Sequence, residues 1–238
     1  MTRVEPLEAI TAATRALLAS AARLGDADMR APSLLPGWTR GHVLTHVARN
    51  ADGGTRLLTW ARTGVEEREY PSMEARAAEI EDGAGRPAAV LVADVRDSAE
   101  RWAEAYEAMP DDAWERVVQW TSGARRPAAR ATDSRLTEVL THHVDLDAGF
   151  GPADWPEDYV ARMLPNIVAA YARRDGAPRL RVRATDTGAA HGTDTGAAHG
   201  DGDIVVSGPA PSLLAWLMGR TDGRDLTGAE GVELPFLY

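Results

Sequence analysis

Four of the six histidines fall in two short segments. His42 and His46 lie in RGHVLTHVA, and His142 and His143 in LTEVLTHHVDL, with Glu138 four residues before His142. Residues four apart on a helix share a face, with Cβ atoms roughly 5–6 Å apart. Glu138 and His142 can therefore offer a carboxylate oxygen and an imidazole nitrogen to one point, and His42 and His46 share a face in the same way. A third ligand from the first segment would complete an N, N, O set. Such a set suits a divalent ion that keeps one position open, as in catalytic zinc sites; a structural zinc closes its shell with four ligands. The competing reading is a solvated Glu–His pair, which this spacing alone permits. The neighbours are mostly apolar, and titratable groups on a buried face need partners. One ion satisfies all three groups, where a hydrogen-bonded Glu–His pair satisfies two. His143 is turned roughly 100° from His142, so both cannot face one point. His42, one turn before His46, is expected beside the site or on the surface.

The elements that must hold these residues are helices. Leu7, Ile10, Thr14, Leu17, Ala21 and Leu24 recur at helical spacing and predict an amphipathic helix over 4–24. Gly25-Asp26 ends it, and the breaker-rich APSLLPGW follows. Thr39 can cap a second helix carrying Val43, Leu44, Val47, Ala51, Leu57 and Leu58, with Gly53-Gly54 a candidate bend. Residues 62–86 are polar and unassigned. A third helix over 87–108 turns Val90, Leu91, Val95, Trp102 and Tyr106 inward. Residues 109–132 read as irregular, and Asp133 or Ser134 caps a fourth helix reaching about Leu146. The expected fold is α+β: a four-helix bundle over 1–150 and a smaller α/β unit over 151–238. In the second unit a helix spans 156–174, LRVRAT and DIVVSG alternate like strands, Pro209 to Arg220 reads as a helix, and ELPFLY can close as a strand. Between the two strands TDTGAAHG stands twice in succession, at 185–192 and 193–200. It reads as a duplicated hairpin loop, a tolerated surface insertion rather than a metal site.

Composition narrows the chemistry. The formal net charge is −10 over 238 residues, which disfavours nucleic-acid and anionic-membrane partners and obliges an anionic substrate to find a local cation. The chain has no cysteine, so disulfides, cysteine zinc ligands and a protein thiol nucleophile are excluded. MTRVEPLEAI lacks the apolar run of a signal peptide, and no stretch approaches the roughly 20 apolar residues of a spanning helix, so a cytoplasmic protein is expected. Among other residues, Trp38 either walls the site or packs in the core. Trp102, Trp114, Trp120 and Trp216 read as packing, Arg125-Arg126 as a solvated loop and Asp52 as solvated. Asp145 is placed either to orient a ligand histidine or to bond along its own helix.

At these residues the chain resembles the mycothiol-dependent maleylpyruvate isomerase family, within the DinB-like metal-binding bundles. The resembling segments are LPGWTRGHVLTHVARNADG, LTEVLTHHVDLDAGF and the looser VVSGPAPSLLAWLMGR. The resemblance implies His46, Glu138 and His142 as ligands of a divalent metal, zinc being expected, and Arg220 as an arginine of the substrate site. It also implies an external thiol, mycothiol, which adds to the cis double bond of maleylpyruvate, permits rotation and leaves as fumarylpyruvate forms. A mycothiol transferase acting on another electrophile, or a metal-binding module without turnover, are the alternatives. No protein partner is evident.

Overall fold

The computed structural model describes residues 4–174, 176–192 and 204–235. The chain forms two compact units, Met1–Phe150 and Gly151–Tyr238. In the first, α1 (Val4–Ala21), α3 (Arg40–Thr63), α5 (Ala88–Glu107) and α6 (Arg130–Asp145) make the bundle, joined by the short α2 (Asp26–Arg30) and by α4 (Met73–Ala84). α3 packs on α4, α5 and α6, and α1 packs on α5 and α6. The apolar stripes meet as their spacing predicts: Ile10, Leu17 and Ala21 of α1, Val43, Leu44, Val47 and Leu58 of α3, Leu91, Val95 and Trp102 of α5, and Val139, Leu140 and Val144 of α6 are all buried. Val90 departs from expectation and is 46% exposed, because it sits about 100° from the stripe that Leu91 and Val95 share. Among the described residues no helix is long and apolar enough to cross a membrane.

Two features of α3 and α4 escape a reading by periodicity. The polar stretch 62–86 contains α4, which buries only Ile80 and Ala84 and so carries almost no apolar signal. The Gly53-Gly54 pair does not break α3. A Cβ on Gly54 would lie 2.7 Å from the Trp102 indole nitrogen, so this glycine makes room for a ring from α5. The segment between α5 and α6 is also less irregular than expected. It holds a hairpin of β1 (Val117–Gln119) and β2 (Arg125–Pro127), with Arg125 and Arg126 exposed as anticipated. α6 starts at Arg130, so Asp133 lies in its first turn and not at its cap.

The second unit holds α7 (Glu157–Tyr171), a sheet of β3 (Leu180–Ala184), β4 (Ala190–Gly192) and β5 (Ile204–Gly208), and α8 (Ala210–Leu217). The strand order is β4-β3-β5. The two alternating segments are strands, but they do not form a hairpin. β3 and β5 run parallel, with Leu180 opposite Ile204 and Ala184 opposite Gly208. The first TDTGAAHG copy turns at Gly188, in the left-handed region at φ 72°, and supplies edge strand β4, antiparallel to β3. Its Asp186 carboxylate accepts the Ala210 amide at 3.0 Å, satisfying a free donor at the start of α8. The second copy lies outside the described residues, as do residues 236–238 of ELPFLY; residues 233–235 form no strand.

Candidate metal centre

Thr39 sets the start of α3 and disposes of His42. The Thr39 hydroxyl accepts the His42 amide, and the His42 ring returns the bond, its Nδ1 accepting the Thr39 amide at 3.1 Å. This is a reciprocal cap with histidine in the place usually held by Glu or Gln. It commits the Nδ1 lone pair and leaves Nε2 to donate to Glu81 at 3.1 Å. His143 is equally committed: it is buried, bonds Ser20 Oγ at 2.8 Å through Nε2 and stacks on Phe150 at 3.8 Å.

One turn beyond His42, His46 is 3% exposed. α6 faces it and brings in Glu138 and His142. One ligand atom from each of His46, Glu138 and His142 lies within 4.8 Å of the others. The Glu138 Oε2 atom is 2.8 Å from His46 Nε2 and 3.3 Å from His142 Nε2, and the two imidazoles meet edge to face. Two nitrogens and one oxygen therefore point at one place from two rigid helices, with a quarter of the Glu138 side chain left open to solvent. The donor set fits a borderline divalent ion with an open position.

The surroundings tune each member. His142 Nδ1 donates to Asp145 Oδ2 at 2.8 Å, and Asp145 is fully buried, so the ring is held with Nε2 inward. Burial alone would lower the His142 pKa, but the bonds to Asp145 and Glu138 outweigh it and raise it. Burial, reinforced by His142, lowers His46 from 6.5 to about 4. Burial would raise Glu138, yet its hydrogen bonds to His142 and His46 and their charge hold it well below the usual carboxylate range. Trp38 walls the site, its ring edge-on to His46 with centroids 5.6 Å apart.

Arg76 of α4 is the neighbour that sequence reasoning missed. Its Nη2 lies 3.0 Å from His46 Nδ1, and its guanidinium stands 5.8 Å from the centre of the Tyr70 ring. Nothing in the polar 62–86 stretch marks this arginine, because α4 has almost no apolar face to fix its register. A guanidinium only donates, so His46 Nδ1 must accept and the His46 proton sits on Nε2, toward Glu138. Asp52 is not solvated as expected: it pairs with Arg49 at 3.1 Å and with Arg101 of α5 at 2.7 Å. In the second unit, Arg220 follows α8 and donates from Nη1 to the Met218 carbonyl at 2.7 Å.

The sequence matches the family model of the mycothiol maleylpyruvate isomerase N-terminal domain over residues 10–147, which is more than half of the chain. The chain belongs to the mycothiol maleylpyruvate isomerase family. Residues 154–234 match the model of the C-terminal domain of the same family. Among solved structures, the chain is similar to a mycothiol-dependent maleylpyruvate isomerase, with a TM-score of 0.91 and 28% identity over 100% of this chain and 98% of that one. A histidine-to-alanine mutant of the mycothiol-dependent maleylpyruvate isomerase superposes with a TM-score of 0.90 at the same identity and coverage. No curated protein matches the sequence at a significant level. The mixed architecture, mostly helical with two small sheets, is that of the family.

Proposed function

We propose that this chain isomerises maleylpyruvate to fumarylpyruvate, using mycothiol as the thiol and a divalent ion, zinc, held by His46, Glu138 and His142. The observation that carries the reading is the convergence of those three ligand atoms within 4.8 Å in a member of this family. Bound to such an ion, a thiol of ordinary pKa near 8.5 is deprotonated at neutral pH, which supplies the nucleophile that a cysteine-free chain lacks.

The residues' own roles follow from their contacts. Asp145 keeps the His142 proton on Nδ1 and its Nε2 lone pair inward, and burial keeps His46 uncharged at neutral pH, so an ion at its Nε2 would take the place of the single proton that faces Glu138. Arg76 places positive charge beside His46, in a protein whose net charge of −10 otherwise repels a dicarboxylate. Arg220 is proposed as a second carboxylate-binding group. Its bond to Met218 O holds the guanidinium at the end of α8, and the arginine fork suits a carboxylate. A cytosolic setting, with neither nucleic acid nor membrane as partner, agrees with the charge balance.

The test is conversion of maleylpyruvate by purified, zinc-loaded protein, followed by ultraviolet absorbance and product NMR. Conversion is expected only when mycothiol is added. Turnover at an unchanged rate in dialysed, thiol-free protein, or no conversion with thiol present, overturns the reading. Arg220→Ala is expected to keep full metal content and melting temperature while kcat/KM falls at least tenfold, about 1.4 kcal/mol. A lower melting temperature with unchanged kinetics would leave Arg220 as a helix-end cation only.

A further inference from the structure

Several arginines around α3 are answered by carboxylates. Arg49 and Arg86 both pair with Asp94, and Arg101 pairs with Asp52. Arg76 pairs with no carboxylate among the described residues. Its Nη2 meets His46 Nδ1 at 3.0 Å, and its guanidinium lies over the Tyr70 ring. Arg76 is half-buried and the His46 ring is buried, so this contact is shielded from bulk water.

That contact and a metal ion make opposite demands on one ring. A neutral imidazole has one N–H donor and one acceptor nitrogen. With Arg76 donating to Nδ1, the acceptor is Nδ1 and the proton is on Nε2. With an ion on Nε2, the proton belongs on Nδ1, where a metal-bound histidine ordinarily gives it to a carboxylate, a carbonyl or water. A guanidinium accepts nothing, so two donors would face each other across the 3.0 Å contact. Charge argues the same way, since the arginine places a cation behind a ligand of a dication. The other ligand histidine shows the contrast. His142 Nδ1 has the Asp145 carboxylate behind it at 2.8 Å, the partner that a bound ion calls for.

We propose that Arg76 and the ion exclude one another at His46: on loading, the Arg76 guanidinium leaves Nδ1 and becomes free to hold a carboxylate of the substrate. The inference rests on His46, Glu138 and His142 being the ligands. It makes carboxylate binding depend on prior loading, and by reciprocity a carboxylate held by Arg76 must tighten the ion. Zinc affinity is measured on the full-length protein by competition with a chelator, without thiol, in the presence and absence of maleate as the dicarboxylate probe. Arg76→Met, which keeps a good helix former at a half-buried position, should bind zinc at least tenfold tighter than the parent, because no bond from a charged donor is broken on loading. Maleate should tighten zinc at least threefold in the parent and leave Arg76→Met unchanged. Nitrogen NMR of isotope-labelled histidine in the parent should show the His46 proton on Nε2 without zinc and on Nδ1 with it. These two measurements on the parent decide the matter even if Arg76→Met fails to fold. Zinc binding in Arg76→Met no tighter than in the parent, a maleate effect that is absent from the parent or equal in both, or a zinc-loaded His46 ring without a proton would each overturn the proposal. A parent that binds no zinc, or binds it equally well as His46→Ala, would instead overturn the ligand assignment, and the proposal with it.

Discussion

At the scale of single residues, the centre is a balance of protons that an ion would replace. His46 and His142 both turn Nε2 toward Glu138, so the stability of protein stripped of metal is expected to depend on pH. His46 is depressed to about 4 against 6.5 when unfolded. Its contribution is therefore present above pH 6.5 and is lost as pH falls toward 4, up to about 3 kcal/mol. Glu138, also depressed, adds a loss below pH 4.5. His142 is raised, so its contribution is full below 6.5 and fades only as pH climbs through its folded value. Metal-free protein should thus melt progressively lower between pH 6.5 and 4, and His46→Gln should flatten that slope. A slope unchanged in His46→Gln would show that the group does not titrate this way. Asp145→Asn should keep the fold but weaken zinc roughly 10–100-fold, because the partner that orients His142 is altered. Equal affinity by competition with a chelator would count against that role. Glu138 and His142 stood out in the sequence because helical spacing and apolar neighbours leave few ways to satisfy them, and the family resemblance singled out His46 over His42. Arg76 did not, because an arginine in a polar segment gives no hint of what it faces.

At the scale of elements, α4 is placed by close approach at two glycines. A Cβ on Gly41 would meet the Ala84 carbonyl oxygen of α4 at 2.1 Å, and one on Gly83 would meet the Thr45 methyl at 2.4 Å. The α4 backbone therefore lies directly against Gly41 of α3, and the Thr45 side chain of α3 against Gly83 of α4, and these close approaches fix the helix that carries Arg76. Gly41→Ala should cost roughly 1–3 kcal/mol, since backbone cannot rotate out of the way as a side chain can. Gly85, with φ at −83° and nothing within 4 Å, is the control, and Gly85→Ala should be neutral or slightly stabilising. Denaturant midpoints of the two variants decide the matter; equal midpoints would refute the close-packing account. The long helices were legible because each buries a continuous stripe. The direction of β3 against β5 was not, since alternation of side chains says which face is buried and nothing about which way a partner runs.

At the scale of the whole chain, the parallel pairing of β3 and β5 changes what the tandem octapeptide can be. β4 ends at Gly192, opposite Arg181, and β5 begins at Ile204, opposite Leu180. The two ends therefore sit at the same end of the sheet on either side of β3, about 10 Å apart by strand spacing. Residues 201–203 alone could span that gap, since four Cα steps reach about 13 Å when extended. Deleting residues 193–200 should thus leave the melting temperature within about 3 °C, because loop-closure entropy depends only weakly on length. A deletion variant that loses the Trp216 near-ultraviolet signal or fails to express would show that the second copy supports the sheet. If the shortened chain behaves as its parent does, the gene can gain or lose this eight-codon unit without shifting any strand, and natural length variation at this point would be invisible to selection.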